Sequence, residues 1–285
     1  MFSHLIGHAD IKSILEKMVA SQNIPSTLLF LGPSGVGKKL FAKTFAERLT
    51  TTSKEECPDI HYLVAEGKSD QHPILQIREL IQEANLPPFE SPCKVFIIEE
   101  ADKMLSYASN ALLKVLEEPP PRTFFILTSS TPSNLLSTVL SRCCKLQFFP
   151  IPENEIAIFL VRTKGVTKEE ARKRAILSEG SLGKALLSPC PIAIHTLFEA
   201  PDYATLLSTL SQIEEDLDLP EEETALRHEK IDSLFEEILF YIREKQPDRL
   251  EKTLKQVMQA RKDLASNLKV KTVLEHFITQ SCQAS

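Results

Sequence analysis

The stretch Thr27-Leu28-Leu29-Phe30-Leu31-Gly32-Pro33-Ser34-Gly35-Val36-Gly37-Lys38-Lys39-Leu40-Phe41-Ala42 decides the fold, because it reads as strand, glycine-rich loop and helix in succession. An apolar, β-favouring run enters a G-x-x-x-x-G-K loop, and an apolar-periodic helix leaves it. Gly32, Gly35 and Gly37 permit the positive-φ turns that aim successive backbone N–H groups into one concavity. The positive end of the next helix faces the same point and Lys38 adds a full charge, so the stretch forms a phosphate cradle. The position after Lys38 departs from the pattern. A Ser or Thr there would offer a hydroxyl to Mg²⁺, whereas the ammonium of Lys39 has three donors and no lone pair.

Upstream, Leu5-Ile6-Gly7-His8 is followed by Ile11, Ile14, Leu15, Met18 and Val19 at the spacing of an amphipathic helix. Downstream, the pattern predicts a short strand around 60–64, a charged turn at 66–70 and a helix at 74–81 that stops before Pro87-Pro88. Residues 94–98 run apolar into Glu99 and Glu100, as a buried parallel strand does when its carboxylates emerge at the C-terminal end. A helix from about 106 to 117 ends at Pro119-Pro120-Pro121, and 123–129 is another apolar strand ending in hydroxyls. Strands alternating with helices imply an α/β domain with a doubly wound parallel sheet over residues 1–150. A small helical segment is expected over 151–190, with Ile156, Phe159 and Leu160 on one face and Ala171, Ala175 and Leu177 on the next. The remainder, 191–285, reads as all-α, with no strand signal from Pro201 onward. One buried stripe runs through Ile231, Leu234, Phe235, Ile238, Leu239 and Ile242, a second through Leu250, Leu254, Val257, Met258, Arg261 and Leu264, and a last helix is expected over 270–278.

The 285 residues, 42% hydrophobic and 25% charged, suit a globular protein of about two domains. Residues 1–185 balance close to neutrality and the acidic excess lies in 186–285, which argues against broad nucleic-acid binding by that third. Polar residues interrupt positions 1–12 and no run approaches the roughly 20 apolar residues of a membrane span, so a cytoplasmic location is expected. Cys57, Cys93, Cys143, Cys144, Cys190 and Cys282 form no C-x-x-C pair and are expected to be reduced thiols.

Five pieces then carry a resemblance: Gly32 to Lys38; Ile77-Arg78-Glu79-Leu80; Lys94 through Glu99-Glu100-Ala101-Asp102-Lys103-Met104; Asn110-Ala111-Leu112-Leu113-Lys114-Val115-Leu116-Glu117-Glu118-Pro119-Pro120; and Leu140-Ser141-Arg142-Cys143. Their order resembles the AAA+ module of bacterial clamp-loader subunits, strongly over residues 1 to about 190. The resemblance implies a P-loop α/β domain, a helical lid and a C-terminal helical collar. It also implies a place in the DNA polymerase III holoenzyme, where gamma/tau and delta subunits use ATP to load the sliding clamp onto primed DNA. Nucleotide, where held, would lie on Gly32, Pro33, Ser34, Gly35, Val36, Gly37, Lys38 and Lys39.

In a hydrolysing relative the acidic strand end would read Asp-Glu, but here both residues are glutamates, and Glu99 is a methylene longer than the magnesium-holding Asp. Sensor 1 falls on Ser129 or Ser130, and the sensor-2 arginine corresponds to Gly183, one residue before Lys184. Lys39, Glu99 and Gly183 all bear on metal and γ-phosphate, so together they imply a subunit that keeps the fold without turnover and in which Mg²⁺ does not bind normally. Lys39 and Glu99 are expected to pair with each other. Arg142, in the Ser-Arg-Cys tripeptide, would reach across an interface to a neighbour's nucleotide; its plain alternative is a surface salt bridge. Many relatives have a four-cysteine zinc module after the loop helix, but only Cys57, with His61 and His72 nearby, stands here, and zinc is not expected. A gamma/tau-like motor ATPase, which Lys39 disfavours, and a stand-alone P-loop NTPase remain as alternatives.

Overall fold

Five strands form one sheet in the computed structural model: β1 (Thr27–Leu31), β2 (Ile60–Leu63), β3 (Lys94–Ile98), β4 (Thr123–Ser129) and β5 (Cys144–Gln147), in the spatial order β2-β3-β4-β1-β5. The structure describes residues 2, 4–51, 57–65, 72–186, 230–231, 234–235, 238–239, 241–243, 247–265, 272–273 and 276–277, which fall in two compact units, Met1–Gly183 and Lys184–Ser285. The charged turn expected at 66–70, and most of the all-α region expected over 191–285, lie outside the described residues.

Every strand pairing is parallel, so each connection crosses a face of the sheet. The crossing elements are α2 (Lys38–Leu49), α3 (Ile74–Ala84), α4 (Ser106–Glu117) and the single turn α5 (Ser137–Leu140), while α1 (Ala9–Ala20) precedes β1. Side chains alternate between two cores. Leu28, Phe30, Val95, Ile97, Ile126 and Leu146 pack with Leu15, Phe41 and Phe45 from α1 and α2. Leu29, Leu31, Phe96, Ile98, Phe125 and Leu127 pack with Ile77, Leu112, Leu116 and Val139 from α3, α4 and α5. Burial on both faces is why the central strands read as continuous apolar runs instead of alternating ones.

The sequence reading does not place β5. Of its four residues only Leu146 is buried, so this edge strand lacks the apolar run that marks the others. The register levels the C-terminal ends of the neighbours, with Leu31 beside Ser129 and Ile98 beside Leu127, so the residues that follow β1, β3 and β4 share one edge.

After the sheet, α6 (Glu153–Lys164) packs on α7 (Lys168–Leu177) through buried Ile156, Leu160, Ala171 and Ala175. The Thr167 hydroxyl caps α7 by accepting the Glu170 N–H at 3.2 Å, and α8 (Leu182–Leu186) follows. In the second unit Ile231, Leu234, Phe235, Ile238 and Ile242 are buried at the expected helical spacing, and the rings of Phe235 and Phe277 meet edge to face at 5.6 Å. In α9 (Leu250–Ala265) the buried row is Thr253, Val257 and Ala260, whereas Leu254 and Met258 of the expected stripe are exposed. Small Thr253 and Ala260 fill the inner face, and the larger apolar residues lie one row round the helix. Among the described residues no helix is long and apolar enough to cross a membrane.

Candidate functional site

The loop from Gly32 to Gly37 joins β1 to α2, and its three glycines have φ of +149°, +74° and +101°. At Gly32 the reason is close approach as well as φ, since a Cβ would sit 2.3 Å from the Phe148 carbonyl oxygen. The loop's carbonyls are tied inward. Lys38 Nζ donates to Gly32 O at 2.6 Å and Pro33 O at 2.7 Å, and His8 Nε2–H donates to Val36 O at 3.0 Å. Burial pushes the Lys38 ammonium below its usual pKa, against the carboxylates of Asp102 and Glu100, which hold it up. Burial likewise pushes His8 down, its ring lying 5.5 Å from that of Phe41 and 4.8 Å from that of Phe148.

The lid reaches this loop. The Gly183 N–H donates to Gly35 O at 2.9 Å, and a Cβ on Gly35 would meet Ser181 Oγ at 2.0 Å. The chain folds back through the Ile151 N–H, which donates to Gly180 O at 2.9 Å. The position corresponding to the sensor-2 arginine is therefore a backbone contact on the tip of the loop, with Ser181 close beside it.

At the ends of β3 and β4, Lys39 Nζ lies 3.0 Å from Glu99 Oε1, the Lys39 side chain 67% exposed and that of Glu99 11%. Oε1 has no aligned hydrogen-bond donor among the described residues, so the contact is an ion pair without a directed hydrogen bond. Glu100, in the left-handed region at φ +47°, pairs with Lys103 at 2.6 Å and donates its N–H to Thr128 Oγ1 at 3.0 Å. His72 donates from Nε2 to the Glu99 carbonyl at 2.7 Å. Of the two serines at the sensor-1 position, Ser129 is fully buried with an Oγ that has no hydrogen-bond partner among the described residues, and Ser130 donates its N–H to Asp102 at 3.3 Å.

Arg142 lies just past α5, away from these groups in sequence and anchored locally. Its Nη1 donates to Thr138 O at 2.8 Å and Ser141 Oγ at 3.3 Å, and its Nη2 pairs with Glu117 Oε1 at the end of α4. The surface salt bridge weighed as the plain reading is thus present.

Cys57 lies beside Ser91 and His61 stacks on Phe96 at 4.7 Å; among the described residues no three His, Cys, Asp or Glu gather as metal ligands. Burial pushes the thiols of Cys93 and Cys143 up to about 11, which leaves them protonated and inert near neutrality.

This five-stranded parallel sheet with a glycine loop at the end of a central strand and a helical lid against it is the AAA+ P-loop fold. The profile of the family described as DNA polymerase III, delta subunit, matches residues 7–152, and the chain belongs to that family. Relatives include replication factor C small subunit 1 of Pyrobaculum islandicum, 32% identical over 65% of this chain and 56% of its own length. DNA polymerase III subunit gamma/tau of Mycoplasma genitalium is 29% identical over 65% of this chain and 34% of its own. The chain thus spans about half or less of these relatives. In fold it is similar to a DNA polymerase III gamma-subunit-related protein of Thermotoga maritima, with TM-score 0.60 at 18% identity over 94% of this chain and 98% of the other. RuvB of Thermotoga maritima is similar at TM-score 0.53 and 17% identity, over 97% and 88%.

Proposed function

We propose that this chain is the stator of a bacterial clamp loader, a subunit of the delta-prime kind. It closes one end of an open ring of gamma/tau and delta subunits and helps load the sliding clamp onto primed DNA in the cytoplasm. In this reading residues 1–150 are the AAA+ domain, 151–190 the lid and 191–285 the collar through which the ring assembles. The observation that carries it is the ion pair of Lys39 with Glu99 at 3.0 Å, at the position where a hydrolysing site would hold its metal.

An ammonium beside the carboxylate supplies the positive charge itself and offers no lone pair to a cation, so these residues do not fit a magnesium ion. Glu100, which would polarise water, is engaged by Lys103. The loop amides and Lys38 keep the shape of a phosphate site, and Lys38 would have to leave two carbonyls to meet a phosphate. Binding of ATP without turnover is the expected behaviour, with Ser129 and Ser130 as vestiges of the first sensor. Arg142, permanently charged and planar, serves a neighbour's nucleotide across the interface.

The test is ATP turnover by the purified chain, followed by clamp loading with gamma/tau-type and delta-type subunits in its presence and absence. Background turnover, with loading that depends on the chain, is expected. A saturable, magnesium-dependent kcat near ~1 s⁻¹, abolished by Lys38→Ala, would favour the motor reading.

A further inference from the structure

We infer that Glu117 is a positioning residue for Arg142, an inference that rests on the reading of Arg142 as an interface arginine. A guanidinium carries five N–H donors. Here Nη1 faces Thr138 O at 2.8 Å and Ser141 Oγ at 3.3 Å, and Nη2 meets Glu117 Oε1. That leaves Nε and one N–H of Nη2 without a partner among the described residues, so donors remain for phosphate oxygens. The arginine is therefore held and still able to receive a ligand.

The holding groups come from two different elements. Thr138 and Ser141 belong to or border α5, a single helical turn seated in the core by Val139. Glu117 is the last residue of α4, a twelve-residue helix fixed in the core by Leu112, Val115 and Leu116. The carboxylate thus ties the guanidinium to a second element, so its direction is fixed from two sides. It removes in advance part of the rotamer freedom that an arginine side chain would lose on reaching a phosphate. Stability does not account for the pair. With side chains 31% and 46% exposed it adds little to stability, so its effect is on where the fork points.

The experiment is a double-mutant cycle in the reconstituted complex with gamma/tau-type and delta-type subunits, reading kcat and KM for DNA- and clamp-stimulated ATP hydrolysis. Glu117→Ala is expected to lower kcat about tenfold with KM little changed, short of the roughly hundredfold that a 1 Å misplacement can cost. Glu117→Gln keeps an acceptor oxygen and should recover part of the loss. In the Arg142→Ala background, Glu117→Ala should have no further effect, because a residue acting through Arg142 has nothing left to position. The inference is overturned if the two losses multiply, or if Glu117→Ala leaves kcat unchanged while Arg142→Ala lowers it. Unchanged hydrolysis with Arg142→Ala would instead refute the interface-arginine reading and take this one with it.

Discussion

Replacing Lys39 by Ala and Glu99 by Gln, singly and together, measures whether these side chains substitute for a metal ion. At 3.0 Å two unit charges attract by about 1.4 kcal/mol at the dielectric of water and about 5.5 kcal/mol at an effective value near 20. Lys39 is two-thirds exposed and makes no aligned hydrogen bond, which places the pair toward the lower figure. A coupling of about 1 kcal/mol is therefore expected, as for other ion pairs with one solvent-exposed partner. The two single variants should differ. Lys39→Ala strands a carboxylate that is mostly buried and should cost about 1–2 kcal/mol, while Glu99→Gln removes the charge along with its desolvation penalty and should cost about 0.5 kcal/mol. Urea unfolding of the four proteins supplies the values. Near 1 M salt, where screening acts over about 3 Å, the coupling should shrink because the lysine faces solvent. A coupling indistinguishable from zero at low salt, or a Glu99→Gln variant less stable than Lys39→Ala, would refute the reasoning.

Other outcomes follow from single sites. Gly32→Ala should cost about 3 kcal/mol or more in chemical unfolding, since its Cβ would fall 2.3 Å from a backbone carbonyl oxygen that cannot swing aside. Gly35→Ala should be milder and partly rescued by Ser181→Gly, because its clash is with a side-chain hydroxyl. Asp59 is buried, which alone would raise its pKa, but its carboxylate accepts the N–H groups of Phe89, Glu90 and Ser91, and these hold the pKa below the usual carboxylate range. A carboxylate depressed in the folded state adds stability above its unfolded pKa and loses it as pH falls through the folded one. Asp59→Asn should therefore cost about 2 kcal/mol near neutrality, and the gap to the natural protein should narrow in unfolding curves taken below about pH 4.

The sheet was legible wherever a strand is buried on both faces, because β1, β3 and β4 leave uninterrupted apolar runs that only a parallel sheet explains. The glycine loop was legible from spacing, and the Lys39–Glu99 pair from the fact that two departures at one spot were complementary in charge. β5 was not, since an edge strand with one buried residue in four leaves no run to read. The inner face of α9 was misread because Leu254 and Met258 fit the helical period as well as Thr253 and Val257 do, and period alone does not say which row faces inward. Contacts between distant segments left no local signal: Glu117 with Arg142, Asp59 with the amides of 89–91, and Gly183 on the tip of the loop each depend on how the whole chain folds back.

The central claim is that this subunit spends no ATP of its own and lends Arg142 to a neighbour that does. Stimulated ATP hydrolysis by the reconstituted complex, with Arg142→Ala in this chain alone, tests it most directly. Arginine fingers contribute roughly 10³ to 10⁵ in rate where a single site works alone, and several sites share the work in a ring, so a smaller but clear loss is expected, with the complex still assembled and Arg142→Lys rescuing poorly. Full stimulated hydrolysis and clamp loading with Arg142→Ala would contradict the account and leave the arginine as the partner of Glu117 and nothing more.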